Sequence, residues 1–210
     1  MYNNQLKVVS RSTFNIYLSL LVLATFAVYF SVGFSLDPTI ITDIGFIPLM
    51  AGSLLTMIVA VFMCNMIGNI PIQLTGLFLL GSIMGAISSP WLAMVDKSIL
   101  VEAGGLTLIA AAIMSVLSAI YPNFFIRIRG ILMAALIALI LVSIASIFLF
   151  EMDMTMYHFA ALIIFLGFLG YDFVQARSLE PTISNAIVLA ASLFIDLLNI
   201  LRHIYELLED

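Results

Sequence analysis

The sequence predicts an all-α fold: a polytopic membrane bundle of seven transmembrane helices, built as a single domain over residues 1–210. Three observations lead there. Hydrophobic residues make up 64% of the chain and charged residues 9%, whereas soluble domains carry ~25% charged and ~45–50% apolar residues. The mean hydropathy is +1.24, which excludes a water-soluble globule. Seven apolar segments each approach the ~20 residues needed to cross a bilayer, and the connections between them are too short to hold a separate active-site domain.

The first span is read from Phe14 to Ser35. Lys7 and Arg11 precede it, as in a secretory signal, but its apolar run exceeds the ~7–15 residues of a signal core and no small-x-small cleavage site closes it. It is expected to be retained, and no lipidation motif is visible at either end. After Asp37-Pro38, the second span covers Ile44 to Met66. It contains Cys64, the single cysteine, which reads as a small packing residue. Gly68-Asn69 introduces the third span, Pro71 to Leu92, with its closing break expected at Ser89-Pro90. Gly81 and Gly85 form a GxxxG pair in this span, a spacing that lets a neighbouring helix approach closely.

The fourth span, Ile99 to Tyr121, opens with Glu102-Ala103-Gly104-Gly105, and Glu102 lies near enough to the surface to be solvated. Tyr121-Pro122-Asn123 marks the next break, and the fifth span is placed at Gly130 to Phe150. The sixth runs from Met156 to Val174. After Glu180-Pro181 the seventh covers Ile183 to Tyr205. No internal repeat stands out.

Basic residues orient the chain. With the N-terminus in the cytoplasm, Lys7, Arg11, Arg127, Arg129 and Arg177 fall inside, and only Lys97 and Arg202 fall outside. Asp37, Asp43, Glu151, Asp153, Glu209 and Asp210 then collect outside, as the positive-inside rule expects. The compact loops and short tails favour a bacterial inner membrane. A net charge of −5 with seven Lys+Arg argues against a nucleic-acid partner.

Two residues violate the apolar pattern. Asp172, in GYDFVQ, sits toward the cytoplasmic end of span six, and Asp196, in SLFIDLLN, lies deeper in span seven. An ionised Asp at mid-bilayer costs roughly 2.5–3.5 kcal/mol on insertion scales, so such residues face the bundle interior and serve ions or protons. In span seven Asn185, Ser192, Asp196, Asn199 and His203 follow at intervals that keep them on one helical stripe. Singly, the Asn and Ser residues read as interhelical hydrogen-bonding groups. As a stripe centred on Asp196, they read as the lining of a hydrated pathway. Gln175 shares the face of Asp172 at i, i+3, and Arg177 follows near the cytoplasmic edge, where it is placed to pair with Asp172. His158 and His203 read as interfacial residues near the outer boundary, since no metal-ligand spacing accompanies them.

Spans six and seven are consecutive and joined by a short loop, so they should be neighbours. Two carboxylates facing one another in a low-dielectric bundle cannot both ionise cheaply, and the pair titrates as a unit. It can hold one proton near physiological pH, drawing the helices together when the proton is shared and pushing them apart when both acids are charged. Oxygen-rich carboxylate pairs also suit Ca²⁺, so Asp172 and Asp196 are candidate ligands for it.

The chain resembles the transmembrane Bax-inhibitor-motif family, whose bacterial members are small seven-span proteins. GYDFVQARSL looks like the family's span-six aspartate segment and AASLFIDLLNIL like its span-seven signature. GSIMGAISSPWL resembles the span-three pattern ending in Ser-Pro, and VEAGGLT the Glu-Ala opening of span four. The resemblance covers essentially the whole chain. It implies a central last helix wrapped by the other six, and a pH-sensitive calcium leak in which Asp172 and Asp196 match the family's paired aspartates. Eukaryotic relatives influence calcium stores and cell death, and some bacterial relatives are linked to a membrane protease. The bacterial calcium-leak relatives carry an acidic residue inside span two and an arginine near its end that can latch the aspartates. Here span two, IPLMAGSLLTMIVAVFMCNM, has no charge. Arg177, Arg127 and Arg129 are the candidate substitutes.

The expectation is therefore a proton-regulated cation leak, for Ca²⁺ first, working with the lipid bilayer, protons and the ion itself. Asp172 and Asp196 form the gate, and Ser192, Asn199 and Gln175 line the route. No resident cofactor and no enzymatic activity are expected. The alternative is a non-conducting regulator that binds another membrane protein, such as a membrane protease or a stress or cell-death factor. An intramembrane aspartyl protease is disfavoured, because Leu193-Phe194-Ile195 stands where a Gly-x-Gly element would flex the helix before the second aspartate. The absence of inverted repeats disfavours a proton-coupled carrier.

Overall fold

The computed structural model describes residues 7–149 and 154–209. Among them are eight α-helices: α1 (Arg11–Ser35), α2 (Pro38–Asp43), α3 (Phe46–Cys64), α4 (Ile70–Met94), α5 (Lys97–Ile120), α6 (Pro122–Leu149), α7 (Met154–Ser178) and α8 (Ile183–Glu209). All but α2 are long and apolar enough to cross a membrane. The expected seven-span, all-helical bundle is what the chain forms. Phe150, Glu151, Asp153 and Asp210 lie outside the described residues.

Three boundaries differ from the sequence reading, each for a reason involving proline. Asp37-Pro38 starts an extra six-residue helix, α2: proline occupies its first position and the Asp37 carboxylate accepts from the Thr39 N–H at 3.0 Å. Ser89-Pro90 does not end the third span, because α4 carries Pro90 in its interior and continues to Met94. Pro122 opens α6 directly after Tyr121, so Arg127 and Arg129 ride on a helix that begins eight residues before the expected Gly130.

The chain forms two compact units, one of Met1–Val95 with Leu179–Phe194, the other of Asp96–Ser178 with Ile195–Asp210. In the first, α4 is the common support of α1, α2 and α3. The GxxxG pair works as expected. A Cβ on Gly85 would come within 2.4 Å of the Tyr29 carbonyl oxygen, and one on Gly81 within 3.0 Å of that of Thr25, so α1 lies directly on the bare backbone of α4. Gly76 does the same toward α3, at 2.7 Å from the Ala60 oxygen. Phe194 packs against Phe26 with ring centroids 5.0 Å apart.

Connections in this unit are tied by hydrogen bonds. Gln73, fully buried, donates from Nε2 to the Cys64 carbonyl at 2.7 Å and accepts from Ser184 Oγ at 2.7 Å. The Val9 N–H donates to the Pro181 carbonyl at 2.9 Å, and Arg11 donates to that of Leu179 at 2.9 Å, securing the segment between α7 and α8.

In the second unit α7 packs on α5 and α6. Gly170 and Gly167 receive the side chains of Phe125 and Leu132 from α6. Asp96 caps α5, accepting from Ser98 and Ile99 N–H, while its own N–H donates to Tyr205 Oη of α8 at 3.0 Å. In their most apolar windows α8 is 61% buried, α7 50% and α6 only 6%. The last helix is thus the most enclosed of the seven.

Candidate functional site: a buried carboxyl pair on the last two helices

Asp172 and Asp196 both belong to the second unit, on α7 and on the second half of α8. Each is 7% exposed. Neither accepts a hydrogen bond or joins an ion pair among the described residues, and Asp172 Oδ2 is fully buried without a partner. A buried acid in that condition is costly. An orphaned acceptor of this kind is open to a proton or a cation.

The arginines divide clearly. Arg177 does not latch the aspartates. It points to α5, where Nη1 donates to Ser118 Oγ at 2.8 Å and Nη2 to the Ser115 carbonyl at 2.6 Å, satisfying groups in the last turns of that helix. Arg127 is exposed on α6 and forms no ion pair or hydrogen bond among the described residues. Arg129 differs: its charge reaches Asp172, and its guanidinium lies 5.2 Å from the centre of the Tyr171 ring. It stops short of a salt bridge, and the ion pair found among the described residues is Arg202–Glu206 at 3.9 Å.

The expected lining residues are placed unevenly. Gln175, half-buried, donates to Tyr171 Oη, so Arg129 of α6 and Tyr171 and Gln175 of α7 form a continuous chain. Asn199 is half-buried and its amide donates to the Ile195 carbonyl at 2.8 Å within its own helix. Ser192 is half-buried on the same stripe. Asn185 leaves the stripe's functional part: its amide closes the α8 entrance by donating to the Glu180 carbonyl at 2.9 Å.

The two histidines are not separate interfacial residues. His158 and His203 are each 8% exposed and meet Nδ1 to Nδ1 at 2.9 Å. They are isolated as potential metal ligands, since no group of three His, Cys, Asp or Glu side chains is assembled among the described residues. The same holds at the aspartates. A resident Ca²⁺ takes 6–8 oxygens, more than two carboxylates supply.

Sequence reasoning missed Tyr171 as the residue joining Arg129 to Gln175, and Ser115 and Ser118 as the receivers of Arg177. Each contact depends on how α5 and α6 lie against α7, which helical spacing within one segment does not encode.

A family model described as "Inhibitor of apoptosis-promoting Bax1" matches residues 6–210. The chain belongs to this Bax inhibitor family. The match spans nearly the whole sequence, and with seven membrane-length helices it identifies an integral, multi-pass membrane protein. Among curated proteins, none matches the chain. Within the Bax inhibitor family frame, GYDFVQARSL and AASLFIDLLNIL are the segments that deliver Asp172 and Asp196.

Proposed function

We propose that this Bax inhibitor-family protein is a passive, proton-regulated cation leak that passes Ca²⁺, gated by Asp172 and Asp196. The observation that carries the reading is the pair itself: two enclosed carboxyls on consecutive helices of one compact unit, with no hydrogen-bond or ion-pair partner among the described residues. With one proton between them the acids attract and α7 and α8 close. With both ionised they repel, and a cation is drawn between them. Arg129 is the cation placed to moderate that repulsion, and Gln175, Ser192 and Asn199 supply oxygen and nitrogen along the route. The orientation that suits the basic residues puts the N-terminus in the cytoplasm of a bacterial inner membrane, with Asp172 toward the inner side.

The test is Ca²⁺ entry into liposomes holding the purified protein, from about pH 6 to about pH 8. The parent is expected to change its rate across this range, and Asp196→Asn and Asp172→Asn to give flat profiles. Variant profiles identical to the parent's would remove the aspartates from the gate.

A further inference from the structure

The carboxyl pair is not the one titratable contact between α7 and α8. We propose that His158 and His203 form a second proton-binding site, a histidine dyad whose contact holds with at most one excess proton and separates when both rings are charged. Its ligand is the proton, and its effect is on the α7–α8 contact itself, whatever the protein conducts.

The geometry sets this behaviour. The two Nδ1 atoms are 2.9 Å apart, so one carries a hydrogen and the other offers a lone pair. That arrangement exists with both imidazoles neutral, and becomes a stronger, charge-assisted bond with one of them protonated. Protonating both removes the last lone pair and leaves two cations with N–H groups opposed. Among the described residues, no acidic side chain hydrogen-bonds or ion-pairs with either ring. Tyr157 places its ring edge-on to both imidazoles, at centroid distances of 5.5 Å and 5.8 Å. Phe165 stacks on His203 at 6.0 Å. The charge that reaches the pair along α8 is positive, that of Arg202, itself held 3.9 Å from Glu206. The charged groups of α5 and α6, Lys97, Glu102, Arg127 and Arg129, are exposed and form no hydrogen bond or ion pair with either ring. Aromatic walls and a neighbouring cation permit a neutral or singly charged dyad and oppose a doubly charged one.

The dyad lies fourteen residues before Asp172 on α7 and seven after Asp196 on α8. The same two helices therefore carry two pairs of opposite protonation logic. Acid couples the carboxyls and, taken far enough, uncouples the histidines.

The chain has only two histidines, which makes the test unambiguous. Protein labelled with ¹⁵N-histidine and reconstituted in lipid is expected to show one protonated and one unprotonated Nδ1 with a coupling across the hydrogen bond near neutral pH. That coupling should survive acidification through about pH 6 to 5, where free imidazoles titrate, and disappear only below it. Spin labels at the neighbouring ends of α7 and α8 should separate over that lower range. His203→Asn, which places an amide nitrogen near the Nδ1 position without a titrating ring, should fold, keep the helices together and abolish the pH-dependent separation. Two histidines titrating independently from the start, or separation that survives His203→Asn, would overturn the proposal. Neither readout uses ion flux, so a failed leak assay and a failed dyad are told apart.

Discussion

Arg129 and Arg177 lie on either side of the Asp172 segment and do opposite things. Arg177 spends its donors on Ser115 and Ser118, while Arg129 rests on the Tyr171 ring with its charge directed at Asp172. Identical residue types flanking one segment thus separate into a clamp on α5 and a cation stacked on Tyr171. The sequence marks both as cations near the cytoplasmic edge but cannot rank them, because the ranking depends on which neighbouring helix has carbonyls to satisfy. Outside the membrane the residue-scale account is simpler. Asp96 is held below the usual carboxylate range first by the Ser98 hydroxyl, then by the Ser98 and Ile99 N–H groups that it caps. Since its folded-state value is depressed, its stabilising effect is present above the ordinary value near ~3.9 and is lost as pH falls through the lower folded one. Asp96→Ala is therefore expected to lower the melting temperature in detergent at neutral pH. The deficit relative to the parent should shrink as pH falls through that depressed value. A deficit independent of pH would show that the cap's charge is irrelevant.

At the scale of elements, seven helices and their order were legible because each is an uninterrupted apolar run of membrane length, a signal that needs no knowledge of neighbours. The glycine pair in α4 was legible as well, since GxxxG spacing alone puts both bare positions on one face. What escaped was proline's context. The same residue starts α2 and α6, yet passes through α4 at Pro90, and a proline reads alike in all three settings until the flanking chain is placed. Gly85 offers the sharpest test of packing. Its missing Cβ would fall 2.4 Å from the Tyr29 carbonyl oxygen, and backbone cannot swing aside as a side chain does. Gly85→Ala should destabilise the protein by about 1–3 kcal/mol, measured as a lower unfolding midpoint in detergent. Gly104→Ala, with open space around it, should be near neutral. Equal effects would contradict the close α1–α4 approach.

Over the whole molecule, burial is concentrated in the last two helices. These, α7 and α8, carry both buried aspartates and both buried histidines, while α6 is the least buried span. Asp172 and Asp196 were readable from sequence because a charge inside an apolar run is conspicuous. The histidine dyad was not, because each ring singly looks interfacial and the pairing exists only between helices.

The central claim is that the Asp172–Asp196 pair takes up a proton within the physiological range. Infrared difference spectra of the reconstituted protein, labelled with carboxyl-¹³C aspartate and compared at about pH 8 and about pH 6, test it most directly. The account predicts one protonated-carboxyl band that appears on acidification and is missing in Asp196→Asn. Two carboxylates that stay ionised throughout, or a band unchanged in the variant, would contradict it.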